Sequence, residues 1–241
     1  MSLPVIDNPT YTIKLHSVDR PITYRPFLVK EEKLLLTALE GGDTQDIVSA
    51  TKQIIKNCCL DEDLITNDLP AFDVEMLFLN LRARSVGEIL TVGMRHPAAD
   101  KDDDVCTGVT QVEINCNDIK LHINKEHKDL IKLDNKISVQ LRYPDIDRMT
   151  RPAEESQMDS IFQITKACIA GIYDKEEYHD VKNSSEQELE DFIYSLNQAQ
   201  FGKIVAYFNT MPKLRHEVSW KCQKCGKNEK VALEGLQSFF G

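Results

Sequence analysis

The residues with the clearest potential for chemistry lie near the C-terminus, where Cys222 and Cys225 are separated by two residues and followed by Gly226. This pattern is typical of a zinc knuckle, because the two-residue gap lets both thiolates face one tetrahedral ion. The glycine can adopt the positive φ that the tight turn requires. His216 lies six residues before Cys222, within reach across a short loop. The sequence thus offers Cys222, Cys225 and His216 as candidate ligands of one structural zinc.

A complete zinc ribbon would contain two such pairs about 15–20 residues apart, and this sequence has one. The other cysteines are distant from the pair: Cys58 and Cys59 are adjacent, whereas Cys106, Cys116 and Cys168 are single. Two interpretations therefore stay open, a metal-free hairpin with packed thiols and a structural zinc completed within the chain or by a second subunit. A redox pair is disfavoured, because no strand–turn–helix pattern surrounds the motif.

Composition limits the classes of protein that this chain can represent. Its 241 residues carry 29 basic and 39 acidic side chains, a net charge of −10. This balance disfavours binding of nucleic acid, which requires concentrated Lys and Arg. The odd number of cysteines, seven, and the lack of a signal-peptide pattern predict a reducing cytosol. No apolar run approaches the length of a membrane span, so no membrane partner is expected.

The motifs that usually mark catalysis do not occur in the sequence. It has neither of the glycine-rich phosphate-binding patterns and no nucleophile elbow or His-Glu-x-x-His helix. Acidic pairs such as Glu31 and Glu32 fall on predicted polar helix faces. We therefore predict that the protein is not an enzyme. A metal-dependent hydrolase, which would need an open metal position, is the remote alternative.

Hydrophobic periodicity predicts the elements that must position these side chains. Residues 11–27 alternate as a β-hairpin. Residues 30–40 and 44–58 follow the pattern of two helices, separated by Gly41-Gly42-Asp43. Residues 72–85 are apolar around most of the helix, as in a central buried helix. Alternation over 109–115, 119–123 and 136–143 predicts three strands of one small antiparallel sheet.

Further helices are predicted over 157–172 and 184–208. The expected fold class is α+β: an N-terminal β-hairpin, a helical layer, a small antiparallel sheet and a helical C-terminal part ending in a Cys-x2-Cys hairpin. The expected organisation is an α+β domain over 1–150, a helical region over 151–212 and the hairpin tail over 213–241.

Four segments of the sequence carry a resemblance to a known family, and they cover 24–33, 72–88, 141–144 and 211–240. The last contains Met211-Pro212, the Cys-x2-Cys motif, Leu233-Glu234-Gly235-Leu236 and Phe239-Phe240. In this order the segments resemble the baseplate hub subunits and hub assembly proteins of T-even-type contractile-tailed phages, and the first two are the most specific.

The resemblance implies an assembly factor, or chaperone, for the hub of the tail baseplate, acting by binding a hub or tape-measure protein. The alternative is a permanent structural subunit of the virion hub. The implied location is the host cytoplasm during assembly, or the virion baseplate, for a protein made late in infection. Homo-oligomerisation stays open, and the resemblance implies no catalytic residue.

Two groups of residues are candidates for binding such partners. Arg25, Arg82 and Arg84 could dock a partner, because arginine makes bidentate interface contacts, or they could form salt bridges within the chain. Phe239 and Phe240 could anchor in a groove of a partner, as terminal aromatic side chains often do, or pack back onto their own domain.

Overall fold

The structure is a computed structural model that describes residues 6–95, 106–149, 156–235 and 238. The α-helices of these residues are α1 (Val29–Gly41), α2 (Thr44–Cys58), α3 (Ala71–Ser85), α4 (Ile146–Met149), α5 (Gln157–Cys168), α6 (Glu186–Ser195) and α7 (Gln198–Thr210). The strands are β1 (Tyr11–Lys14), β2 (Pro21–Tyr24), β3 (Ile89–Arg95), β4 (Val109–Asn115), β5 (Lys120–His122), β6 (Leu130–Lys132), β7 (Ile137–Leu141), β8 (Ile169–Asp174), β9 (Glu177–Asp180), β10 (Lys213–Lys221) and β11 (Asn228–Glu234).

The α+β class is confirmed, but the strands are divided over several antiparallel sheets. The strand orders within these sheets are β1-β2, β3-β4, β11-β10-β5 and β6-β7-β8-β9. The prediction that the strands near 109–115, 119–123 and 136–143 form one sheet is therefore wrong, because β4, β5 and β7 each belong to a different sheet. Alternation identifies a half-buried strand, whereas its partner depends on which apolar faces meet in three dimensions.

The predicted N-terminal hairpin is present, with β1 and β2 paired from Tyr11 and Tyr24 to Lys14 and Pro21. Ile22 and Tyr24 are buried and belong to the first core cluster, which also contains side chains from α2 and α3. The hairpin is thus anchored to the helical layer through its second strand.

Helix α3 is the central helix, as the sequence predicts. It follows Pro70, which occupies the N-cap, where its lack of an amide hydrogen leaves no helical bond unmade. One side of the helix, including Leu77 and Leu81, packs in the first core cluster. Leu79 and Ala83 pack in the second. Because it is apolar on both sides, α3 connects the two cores.

The second core cluster lies between two strand pairs that are far apart in the sequence. Leu90 and Ile114 come from β3 and β4, whereas Val218 and Leu233 come from β10 and β11. The short strand β5 pairs with the start of β10, with Leu121 opposite Leu214. The predicted C-terminal hairpin is therefore present and packs against the middle of the chain.

The third core cluster involves the sheet β6-β7-β8-β9 and the helices α6 and α7. Helix α5 ends at Cys168, and the next residues form β8, so the predicted extension of this helix to Ile172 is wrong. The Tyr178 ring lies against the backbone at Gly171, where a Cβ atom would collide with it. Strand β7 precedes the predicted domain boundary at residue 150 and β8 follows it, and the two strands are paired. The regions before and after residue 150 therefore share one sheet.

None of the described helices combines the length and the hydrophobicity that a membrane-crossing helix needs.

Candidate metal centre

The Cys-x2-Cys motif forms the turn of the β10–β11 hairpin. The Cys222 amide donates a hydrogen bond to the Lys227 carbonyl at 2.9 Å, and the Gly226 amide donates one to the Cys222 carbonyl at 2.9 Å. Gly226 has a φ of +75°, the left-handed conformation that the sequence predicts for it. The turn places the sulfur atoms of Cys222 and Cys225 within 4.8 Å of each other.

A third thiol joins this pair from the residues that precede β4. The Sγ atom of Cys106 lies 3.7 Å from that of Cys222, and all three sulfur atoms lie within 4.8 Å of one another. Cys222 is only 2% exposed, whereas Cys106 is half-buried and Cys225 is exposed. The cluster therefore sits at the edge of the second core, with one side toward solvent.

Contacts beside the sulfur atoms hold the Cys106 segment against the hairpin. The Gln223 amide donates to Thr110 Oγ1 at 3.1 Å, and Lys224 Nζ donates to Thr107 Oγ1 at 3.0 Å. At Gly108, an added Cβ atom would lie 2.8 Å from Lys224 Cβ and 3.3 and 3.4 Å from the sulfur atoms of Cys222 and Cys106. This close approach leaves room only for glycine.

The chemistry of the donor set suits a soft or borderline metal ion. Thiolates favour zinc and related ions over magnesium or calcium. Two thiolates at a zinc–sulfur distance of about 2.3 Å on a tetrahedral ion are about 3.8 Å apart. The 3.7 Å between Cys106 and Cys222 matches this value. The three cysteines could therefore hold a metal ion.

His216 does not lie with these thiols. It is in β10, opposite Leu233, and a continuous strand separates it from the hairpin turn. At a rise of about 3.3 Å per residue, the six positions to Cys222 span about 20 Å. No other histidine, aspartate or glutamate of the described residues joins the thiol cluster.

The remaining cysteines, Cys58, Cys59, Cys116 and Cys168, do not belong to the thiol cluster. Burial raises the pKa of Cys58 to about 11 and that of Cys59 to about 12. Burial also raises the pKa of Cys168 to about 12. The raised pKa keeps these three thiols in their unreactive protonated form at neutral pH.

The three arginines predicted as docking residues make contacts within the chain. Arg25 Nη2 lies 3.1 Å from Glu31 Oε1, and Arg82 Nη1 donates to the Gly87 carbonyl at 2.9 Å. Arg84 Nη1 lies 3.0 Å from Glu88 Oε1, with its guanidinium carbon 5.1 Å from the centre of the Tyr11 ring. The alternative that they act within the fold thus has a structural basis. Phe239 and Phe240 lie outside the described residues.

Sequence reasoning names Cys106 only as a single, distant cysteine. It precedes Cys222 by 116 residues, a separation much longer than the spacings from which zinc ligands are recognised in a sequence. The one local signal is Gly108, two residues later and directly before a strand, which suggests a close approach of another group.

Comparison with known proteins identifies the family. The profile of the family described as T4 bacteriophage base plate protein matches residues 8–241. A search of curated proteins and a search of solved structures gave no match. The match covers nearly all of the α+β fold, including Cys106 and the hairpin with Cys222 and Cys225. The chain therefore belongs to the T4 bacteriophage base plate protein family.

Proposed function

We propose that this protein is an assembly factor for the hub of the phage tail baseplate. It would act in the host cytoplasm by binding a hub or tape-measure protein, and it would not stay in the finished particle. The observation that carries the proposal is the family match over residues 8–241. The role is one of protein binding rather than catalysis, in keeping with the baseplate family.

An apolar groove supports a binding role. It lies between α5, α6 and α7 and has a volume of about 470 Å³. Tyr194 is 71% exposed, and its ring stacks on that of Phe162, with ring centroids 4.8 Å apart. Exposed aromatic side chains beside a pocket are frequent anchors of protein interfaces. The apolar residues that line the groove are Met158, Phe162, Ile193, Tyr194, Leu196 and Phe201.

Acidic side chains border this groove and indicate the chemistry of its partner. Asp159 and Glu190 line it, and Asp191 is exposed one helical turn before Tyr194. Lys166 Nζ lies 2.6 Å from Glu186 Oε1 and 2.7 Å from Glu190 Oε1. This one positive charge neutralises only part of the negative charge beside the groove. The proposed occupant is therefore an apolar segment of a hub or tape-measure protein flanked by basic residues.

Quantitative mass spectrometry of mature particles and of infected-cell lysate tests the proposed role. An assembly factor is expected in lysate and in tail intermediates, but not in purified particles. Several copies in each particle would instead establish the second candidate, a permanent subunit of the virion hub. Absence from every tail intermediate would contradict both.

Substitution of Tyr194 by lysine tests the groove. We expect Tyr194→Lys to reduce complementation of a phage that lacks this protein by about tenfold or more, because truncation of a hot spot costs over 2 kcal/mol. Ile65→Lys is the matched control, since Ile65 is 62% exposed and lies outside the groove. Thermal melting of both variants separates a binding defect from a folding defect. Equal complementation by the two variants would exclude the groove as the docking surface.

We also propose that the chain binds one structural zinc ion through Cys222 and Cys225. The closed hairpin turn and the proximity of the two sulfur atoms support this. Such an ion stabilises the fold and takes no part in a reaction.

A further inference from the structure

We infer that Cys106 is the third ligand of this zinc ion, and that the ion links the segment before β4 to the C-terminal hairpin. The inference depends on the proposed zinc and is independent of the proposed role in hub assembly. It replaces His216, the ligand that the sequence suggests, with a residue from the middle of the chain.

The positions of the sulfur atoms carry the inference. Cys106 and Cys222 are 3.7 Å apart, which is the separation of two thiolates on one zinc ion and well beyond the 2.05 Å of a disulfide. All three sulfur atoms lie within 4.8 Å of one another, so a single ion can contact each of them after small side-chain movements.

The backbone around the thiol cluster allows the three sulfur atoms to lie close together. Gly108 lacks the Cβ atom that would press on two of the sulfur atoms and on Lys224. The hydrogen bond from the Gln223 amide to Thr110 fixes the hairpin turn beside the start of β4. The three thiols are thus held together by polar contacts that do not involve sulfur.

The cysteines outside the thiol cluster limit the number of sulfur ligands that one chain can supply. All seven cysteines are among the described residues, and Cys58, Cys59, Cys116 and Cys168 do not belong to the thiol cluster. One chain therefore supplies three thiolates to the ion. The fourth ligand is not a thiolate of this chain.

The consequence of the link is mechanical. Cys106 precedes β4 and Cys222 follows β10. The two residues therefore belong to different strand pairs of the second core cluster, β3–β4 and β10–β11. A cross-link between segments this far apart in sequence restricts the unfolded chain strongly, because the closed loop is long. The ion would hold the two sides of this core together at their open edge.

The test uses the full chain, purified under reducing conditions. Elemental analysis is expected to give one zinc ion per chain. After exchange with cobalt, the thiolate-to-metal charge-transfer absorption should correspond to three sulfur ligands, and in Cys106→Ser it should fall to two-thirds. Zinc binding by Cys106→Ser should weaken by at least about tenfold, the cost of losing even an outer-shell partner of a metal site.

Two further variants make the result specific. Cys59→Ser is the control, because Cys59 is half-buried like Cys106 and lies outside the cluster; its zinc content and spectrum should match the wild type. Gly108→Ala keeps all three thiols but crowds two of them, so its zinc affinity should fall while the number of sulfur ligands stays at three.

Three results would overturn the inference. An unchanged cobalt spectrum in Cys106→Ser would remove Cys106 from the site and leave Cys222 and Cys225 as zinc ligands. Metal-free wild type with an intact fold would refute the zinc itself. A disulfide between Cys106 and Cys222 in protein taken from a reducing cytosol, detected by mass spectrometry, would replace the metal by a covalent bond. The particle measurement that tests the hub role is unaffected by any of these.

Discussion

Replacement of Arg25 by alanine is expected to lower the free energy of unfolding by about 3–5 kcal/mol, the typical cost of removing one partner of a buried ion pair. The side chain of Glu31 is 0% exposed and that of Arg25 16%, so the variant would leave a carboxylate inside the protein without its main cation. Arg25 also donates to the carbonyls of Pro26 and Asn57, at 2.9 and 3.0 Å. It therefore connects the end of the N-terminal hairpin to both α1 and α2.

Urea denaturation measures this difference, and Arg215→Ala is the matched control. Arg215 pairs with Glu217 and Glu234 on the surface, where all three side chains are more than one-third exposed, and such pairs contribute less than about 1 kcal/mol each. Similar losses of stability in the two variants would contradict the role assigned to the Arg25–Glu31 pair. A hub partner that binds Arg25→Ala normally, once the variant is folded, would show that this arginine serves the fold.

The pH dependence of the same pair gives a second measurement. Burial alone would raise the pKa of Glu31, but hydrogen bonds from Arg25 and from the Leu28 amide, with the charges of Arg25 and Lys30, lower the pKa overall. A lowered pKa stabilises the folded state above the unfolded pKa of about 4.3, and this stabilisation is lost as the pH falls through the folded value. The stability difference between wild type and Arg25→Ala should therefore be largest at neutral pH and shrink in acid.

Replacement of Asp73 by alanine is expected to cost about 3 kcal/mol, because it removes two hydrogen bonds to a charged acceptor. Asp73 is fully buried in the first turn of α3. One carboxylate oxygen accepts from the His16 amide at 2.9 Å, and the other accepts from the Ser17 amide at 2.8 Å. This side chain is thus the polar attachment of the turn between β1 and β2 to the central helix.

The asparagine variant separates the two bonds. Asp73→Asn keeps one carbonyl oxygen as an acceptor and presents an amide group to the other backbone amide, so it should lose about half as much stability. Hydrogen exchange at His16 and Ser17 should accelerate strongly in Asp73→Ala and less in Asp73→Asn. Unchanged exchange at both positions in Asp73→Ala would contradict the assigned role.

Local signals in the sequence were sufficient for the elements that carry their own pattern. The apolar residues of α3 cover most of its circumference, and this predicts a helix buried on several sides. Cys222, Cys225 and Gly226 lie within one turn, so their spacing alone predicts the shape of the hairpin tip. In both cases the determining residues are neighbours along the chain.

The parts that could not be predicted depend on contacts between distant residues. Cys106 joins the other thiols across 116 positions, and no periodicity or spacing encodes such a contact. The pairing of β5 with β10 follows from the packing of the second core, since both strands show ordinary alternation. The Arg25–Glu31 pair is close in sequence, but the burial of its carboxylate depends on the packing of α1 against the hairpin and α2.

The composition of the second core has a consequence for synthesis of the protein on the ribosome. Its buried side chains come from Leu79 to Ile119 on one side and from Leu214 to Leu233 on the other. While the chain is being translated, the first group is complete more than 90 positions before the last strand emerges. Leu90, Val92 and Ile114 therefore lack their partners from β10 and β11 until the C-terminal hairpin has been synthesised. The nascent chain exposes this apolar surface while the intervening residues are made, and the second core can close only after β11 has emerged.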